Sequence, residues 1–137
     1  MKCYLEHANI SVRSLDNAIR FLSTAFPHFK VRGKGESSGK KWIHIGTDDT
    51  YIAFSEANGG VNGPVAYSEP GINHIGFVVN DAETIRTALL EAGYREGFVA
   101  DPHPHRKRIY FHDGDDNEWE FVEYFSDNPA ERNDYTT

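Results

Sequence analysis

Two stretches decide how this chain folds: residues 5–12, LEHANISV, and residues 72–79, INHIGFVV. Both show the two-residue alternation of a strand with one face against a core. In the first, Ala8, Ile10 and Val12 share one face, and Leu5, His7, Asn9 and Ser11 share the other. Superposing His7 on His74 sets an offset of 67 (74 − 7). Without a gap, that offset pairs Val12 with Val79, Leu22 with Leu89, Ala25 with Ala92, Phe54 with Phe121 and Glu56 with Glu123. It also lays Asp48-Asp49 on Asp115-Asp116. Strand, helix and turn positions stay in register, so the chain reads as one unit written twice.

Working outward, Ser14 or Asp16 caps a helix over 14–26, whose Ala18, Phe21, Leu22, Ala25 and Phe26 follow helical spacing until Pro27 stops it. Strands follow at 29–32, 41–46 (KWIHIG) and 51–56 (YIAFSE), with the glycine-rich 33–39 read as a loop. The second half repeats this order. A strand at 72–79 leads to a helix capped by Asp81 and ended by Gly93, then strands at 95–100, 107–112 and 117–124 (NEWEFVEY). The expectation is an α+β fold: two tandem βαβββ modules forming a curved, mostly antiparallel sheet around a concave site, helices on the outer face. Residues 1–137 make one domain, with module one at about 4–57, a linker at about 58–70, module two at about 71–125 and a polar, loosely packed tail at 126–137.

The chain has 137 residues, and a globule of that size buries roughly two thirds of its unfolded surface. It has 14 Lys and Arg against 21 Asp and Glu, a formal charge of −7, which argues against nucleic acid or an anionic membrane as partner. One cysteine, Cys3, excludes an internal disulfide framework and reads as a small hydrophobe. No apolar run resembles a signal peptide or approaches the roughly 18 residues of a membrane span, so a cytoplasmic protein is expected. Seven histidines and one cysteine mean that a transition-metal site would use nitrogen and oxygen donors.

Two copies related by an approximate two-fold bring equivalent residues together, so His7 and His74 are expected to face each other. In the last strand Trp119 and Phe121 form the apolar face, and Glu118 and Glu120 point the other way. Two imidazoles and one carboxylate, His7, His74 and Glu120, suit Fe, Mn, Zn or Ni with open positions. Taken singly, a mid-strand histidine is an ordinary core or half-exposed residue, and Glu120 beside Glu118 and Glu123 an ordinary solvated face; the repeat favours the metal reading. The first-half equivalent of Glu120 is Ala53, which cannot ligate, and Glu56 would need a bulge to turn inward. His44, Tyr51 and Glu118 are candidate catalytic acids or bases, with His44 paired to Phe111 by the offset. Ser55 shares their pocket face as a further candidate, and Trp42 reads as a wall. The basic cluster His103, His105, Arg106, Lys107 and Arg108 reads as a solvated loop or an anionic-substrate contact, and His103, His105 and His112 as a weak surface metal site. Arg132 lies in the tail. Gly33 and Gly35 precede no helix and so form no phosphate cradle.

The paired βαβββ order, the histidine near the start of each half and the terminal segment GDDNEWEFVEY resemble the vicinal-oxygen-chelate superfamily over about residues 4–124. That superfamily holds glyoxalase I, fosfomycin-resistance thiol transferases, extradiol ring-cleaving dioxygenases, methylmalonyl-CoA epimerase and metal-free bleomycin-binding proteins. The resemblance implies that His7, His74 and Glu120 match the family's metal ligands. It also implies a homodimer, and leaves open whether the site forms within one chain or across two. Residues 112–117 (HDGDDN) depart from the commoner Asp-Pro-Asp-Gly-Asn. Members similar to glyoxalase I carry a glutamate or glutamine where this chain has Ala53, so the resemblance leans toward a three-ligand site open to a substrate chelating through two oxygens. Lyase, thiol transferase and ring-cleaving dioxygenase chemistry all remain. The alternative is a metal-free small-molecule or antibiotic-binding protein, resembling bleomycin-resistance proteins, with Trp42, Tyr51, Trp119 and Phe111 lining an aromatic cleft and the acidic charge suiting a cationic ligand.

Overall fold

The computed structural model describes residues 2–59 and 65–136. The chain divides into two units, Met1–Asn62 and Gly63–Thr137. The first contains β1 (His7–Val12), α1 (Leu15–Ala25), β2 (Lys30–Ser37), β3 (Lys40–Gly46) and β4 (Tyr51–Glu56). The second contains β5 (His74–Val78), α2 (Ala82–Glu91), β6 (Arg95–Val99), β7 (Arg106–His112), β8 (Glu118–Tyr124) and α3 (Pro129–Arg132). Each forms a four-stranded sheet, β1-β4-β3-β2 and β5-β8-β7-β6, in which the first pair is parallel and the others antiparallel. The tandem βαβββ expectation is met twice over. Part of the expected linker, residues 60–64, lies outside the described residues.

In the first unit Ser14 caps α1 by accepting from the Asn17 N–H at 3.2 Å. The helix lays Ala18, Phe21, Leu22 and Ala25 on the sheet face that carries Ile43, Ile45, Ile52 and Phe54, all buried. Those residues alternate with Trp42, His44, Tyr51 and Ala53, which therefore project from the other face. The stretch expected to be a loop at 33–39 is mostly strand. Lys30–Ser37 pairs along β3 and turns back through Ser38 and Gly39, both at positive φ (52° and 75°), the two-residue turn that fits a twisted hairpin. Polar, glycine-rich composition hides this strand because it buries almost nothing. Its glycines leave room for an indole: a Cβ on Gly35 would lie 2.7 Å from Trp42 Cζ2.

In the second unit Asp81 caps α2 by accepting from the Thr84 N–H at 3.0 Å, and Gly93 leaves the helix at φ 88°. Ile85 and Leu89 of α2, with Ile109, Phe111, Trp119 and Phe121 of the sheet, make the core. Trp119 and Phe111 are thus fully buried, which removes them from any ligand cleft. The tail is not loose. The guanidinium of Arg106 donates to the Arg132 and Asp134 carbonyls at 3.2 and 2.8 Å, and Arg132 lies 4.2 Å over the Tyr124 ring.

The two hairpins differ by one residue. β3 and β4 close through residues 47–50, with Gly46 opposite Tyr51; β7 and β8 close through 113–117, with His112 opposite Glu118. His44 opposes Ala53, and Tyr110 opposes Glu120. The counterpart of His44 is therefore Tyr110, at an offset of 66 (110 − 44), not the core residue Phe111. Asp113 stabilises the longer turn, accepting from the Asp115 and Asn117 N–H groups at 2.8 and 3.0 Å and from Trp119 Nε1 at 3.0 Å.

Candidate functional site

In the first unit the predicted residues His7, Tyr51 and His44 lie ring against ring. His7 faces Tyr51 directly across the parallel β1–β4 pair, with centroids 4.7 Å apart and planes at 14°. Tyr51 meets His44 at 4.8 Å and 30°, and His44 meets Trp42 at 4.8 Å and 42°. Neighbouring strands are about 4.8 Å apart, so rings on one sheet face stack across them. Arg32 adds its guanidinium 4.1 Å above Tyr51. His7 Nδ1 is 2.8 Å from Glu6 Oε1, a carboxylate that can only accept, so the Nδ1–H donates there and the Nδ1-protonated tautomer would leave the Nε2 lone pair outward. The β1–β4 and β3–β4 registers run without a shift, so Glu56 stays on the side of Ile52 and Phe54, and Ala53 keeps its place between Asn9 and His44.

In the second unit His74, Glu118 and Glu120 come together. β5 and β8 run parallel with His74 opposite Glu118, and Glu120 follows two residues along the same face. His74 Nε2 is 3.1 Å from Glu120 Oε2. Its Nδ1 is 2.9 Å from the Tyr67 hydroxyl, which donates to Glu118 Oε1. A phenol has one proton. With that proton on Glu118, Nδ1 must supply the hydrogen of its own bond to Tyr67. Nε2 of the neutral ring and Glu120 Oε2 then face each other as two lone-pair groups, which a proton or a metal cation has to join. A divalent cation about 2.1 Å from each of two donors at right angles sets them about 3 Å apart, so the pair fits such an ion.

Tyr110 donates to Glu120 Oε1 at 2.9 Å, and His112 Nε2 lies 3.5 Å from Glu118 Oε2. Burial, then the Glu118 carboxylate that takes its hydrogen bond, pushes the Tyr67 phenol up to about 12. Burial and Glu120 do the same to Tyr110, also to about 12. A cavity of about 400 Å³ opens here, lined by Tyr67, His74, Phe98, Tyr110 and Glu118. Within each unit, no three described His, Cys, Asp or Glu side chains form a cation site.

Sequence reasoning missed Tyr67 and Tyr110, and grouped His112 with His103 and His105 when it lies against Glu118. Tyr110 was legible from alternation along β7, had the offset of 67 not been carried through the longer turn. Tyr67 sits in what reads as a linker, and only its φ of 65° and the Asn73 Oδ1 that accepts its N–H at 2.6 Å aim it at His74. His112 does not join His103 and His105. They lie beyond the other end of β7, where His105 Nδ1 is 3.9 Å from Glu131 Oε2 and His103 Nε2 is 3.9 Å from Asp134 Oδ2.

Residues 4–121 match the family model of the glyoxalase/bleomycin resistance protein/dioxygenase superfamily, and the chain belongs to that superfamily. Among solved structures it is similar to a glyoxylase/bleomycin resistance protein/dioxygenase domain from Frankia sp. EAN1pec (20% identity, TM-score 0.74, covering 90% of this chain and 99% of that one). It is also similar to the fosfomycin resistance protein FosX from Listeria monocytogenes, solved with Mn(II) and sulfate (20% identity, TM-score 0.69, 96% and 98% covered). FosX from Mesorhizobium loti is comparable (22%, TM-score 0.67, 96% and 98%). A search of curated proteins returned no match. No helix among the described residues is long and apolar enough to cross a membrane.

Proposed function

We propose that this protein is a divalent-metal enzyme that takes a small substrate through two adjacent oxygens, with His7, His74 and Glu120 holding the cation. The observation that carries this reading is the 3.1 Å approach of His74 Nε2 to Glu120 Oε2, a separation that suits two donors of one cation. His7 supports it, because its Nδ1 is engaged by Glu6, which leaves Nε2 as the donor. Ala53 leaves the set at three protein donors, which suits a substrate with two donor oxygens.

A cation in that set would supply Lewis acidity to the substrate oxygens. The remaining work falls to the chain. Tyr110 fixes one carboxylate oxygen of Glu120, Tyr67 and Glu118 fix the imidazole of His74, and Glu6 and the Tyr51 ring fix that of His7. His44 and Tyr51 are the groups we assign to proton transfer from module one, and Glu118 from module two. FosX of Listeria, with Mn(II) bound, makes manganese the first ion to try.

The test is metal content. Purified protein reconstituted with Mn(II), Fe(II), Zn(II) or Ni(II) is expected to retain one ion per chain by elemental analysis, and His7→Ala and His74→Ala to lose it. Wild type that retains none overturns the reading. The stacked rings from His7 to Trp42 favour a second reading, a metal-free binder of small organic molecules; thermal stabilisation by such a molecule that survives chelator would support it. We also propose a homodimer, checked by light scattering.

A further inference from the structure

The second unit has another cavity, of about 450 Å³, that the metal reading does not use. Its walls come from α2, the end of β6, the following loop and β7. Phe98, Val99 and Phe125 line it and remain 59%, 75% and 55% exposed, an unusual expanse of large apolar side chain around one opening. Four cations line it as well: Arg86, Arg106, Lys107 and Arg108.

The charges do not cancel. Arg86 is held by Glu96 through two hydrogen bonds, at 2.8 and 3.0 Å, and shares Glu83 with Lys107. Those two cations and two carboxylates balance. Arg106 is only 7% exposed, and its partners are the Arg132 and Asp134 carbonyls and the Tyr135 ring at 5.0 Å, none of which carries a charge to offset its own. Arg108 forms no ion pair with a carboxylate among the described residues; its charge acts on the Tyr110 phenol, whose pKa it lowers against burial and Glu120. Asp101 is the one acid left on the wall, so the lining carries one net positive charge (four cations less three acids) in a chain of net −7. A guanidinium taken out of water without a counter-charge is costly unless an anion comes to it.

We propose that this cavity is a binding site for a small amphipathic anion, a carboxylate on an aliphatic or aryl body. The head would meet Arg108 and Arg106, and the body would lie against Phe98, Val99 and Phe125. The volume falls in the range of small-ligand pockets. Phe98 lines the His74–Glu118 cavity as well and packs edge-on to Tyr110 at 5.5 Å, so an occupant here would touch the wall of both cavities.

The experiment is calorimetric titration of metal-free protein with octanoate, acetate and octanol. Octanoate is expected to bind, with the other two at least tenfold weaker, since each supplies half of the recognition. Arg108→Gln should weaken octanoate at least tenfold, and amide shifts on octanoate addition should centre on Val99, Ala100 and Ile109. Any of these results would overturn the proposal: octanol binding as well as octanoate, Arg108→Gln binding like wild type, or octanoate displaced by raising protein concentration, which would mean that a second copy covers this face. The site does not depend on the metal reading, and displacement of octanoate by Mn(II) alone would assign it to His74 and Glu120 and so reject it here.

Discussion

The hydroxyl of Tyr67 lies 2.9 Å from His74 Nδ1 and donates its own hydrogen bond to Glu118. It is the link that decides which nitrogen of His74 is free. Tyr67→Phe is therefore expected to weaken metal binding about 10- to 100-fold, the usual effect of losing such an outer partner. Competition with a chromophoric chelator would measure it. Unchanged affinity in a folded Tyr67→Phe protein would show that Glu118 alone orients the ring.

Alkaline titration offers a second check. The Tyr67 and Tyr110 phenols are held at about 12, well above the roughly 10 of a free phenol. The folded state favours the neutral form, so their contribution to stability is complete below about pH 10 and is lost as pH rises through about 12. Absorbance of tyrosinate should show a late step that shrinks in Tyr110→Phe. A wild-type curve without any ionisation near pH 12 would contradict the two hydrogen bonds.

A third prediction concerns Gly35. A methyl group there would lie 2.7 and 2.9 Å from Trp42 Cζ2 and Cε2, atoms of a rigid ring. Gly35→Ala should displace the indole, shift the Trp42 emission and cost on the order of 1–3 kcal/mol in chemical denaturation. Trp119 is buried in the other unit and is the only other tryptophan, so the same substitution in a Trp42→Phe background should leave emission unchanged.

The tail supplies a fourth. Arg106→Ala removes both carbonyl contacts that dock residues 126–136, and limited proteolysis should then cut within them. The expected loss of stability is about 1–3 kcal/mol. Equal protease resistance would mean that Arg132 on Tyr124 and the Glu131 contacts suffice.

The repeated strand–helix order was legible because burial writes itself into alternation and helical spacing: Ile43, Ile45, Ile52 and Phe54 in one sheet have Ile109, Phe111 and Phe121 as their like in the other. The same repeat singles out His7, His74 and Glu120 as candidates, and the approach of His74 to Glu120 was legible from it. The start of β2 was legible at 29–32, but its continuation to Ser37 was not, since a strand exposed on both faces has no alternation to read. Tyr67 was not, because a side chain aimed by a left-handed backbone leaves no period in the sequence. Arg106 read as a solvated loop residue, and its burial depends on a tail some 26 to 28 residues further on.

The extra residue between β7 and β8 has a consequence for how such sites change. Pairing in a hairpin is counted from its turn, so one residue more or less there slides a whole strand past its neighbour and exchanges its two faces. With a turn as short as that of the first unit, Glu120 would face Phe111 instead of the Tyr110 hydroxyl. Length at the rim, far from any reacting atom, thus selects whether a carboxylate sits beside a proton donor or a hydrocarbon, and related chains could acquire new chemistry by insertion while every residue of the site stays the same.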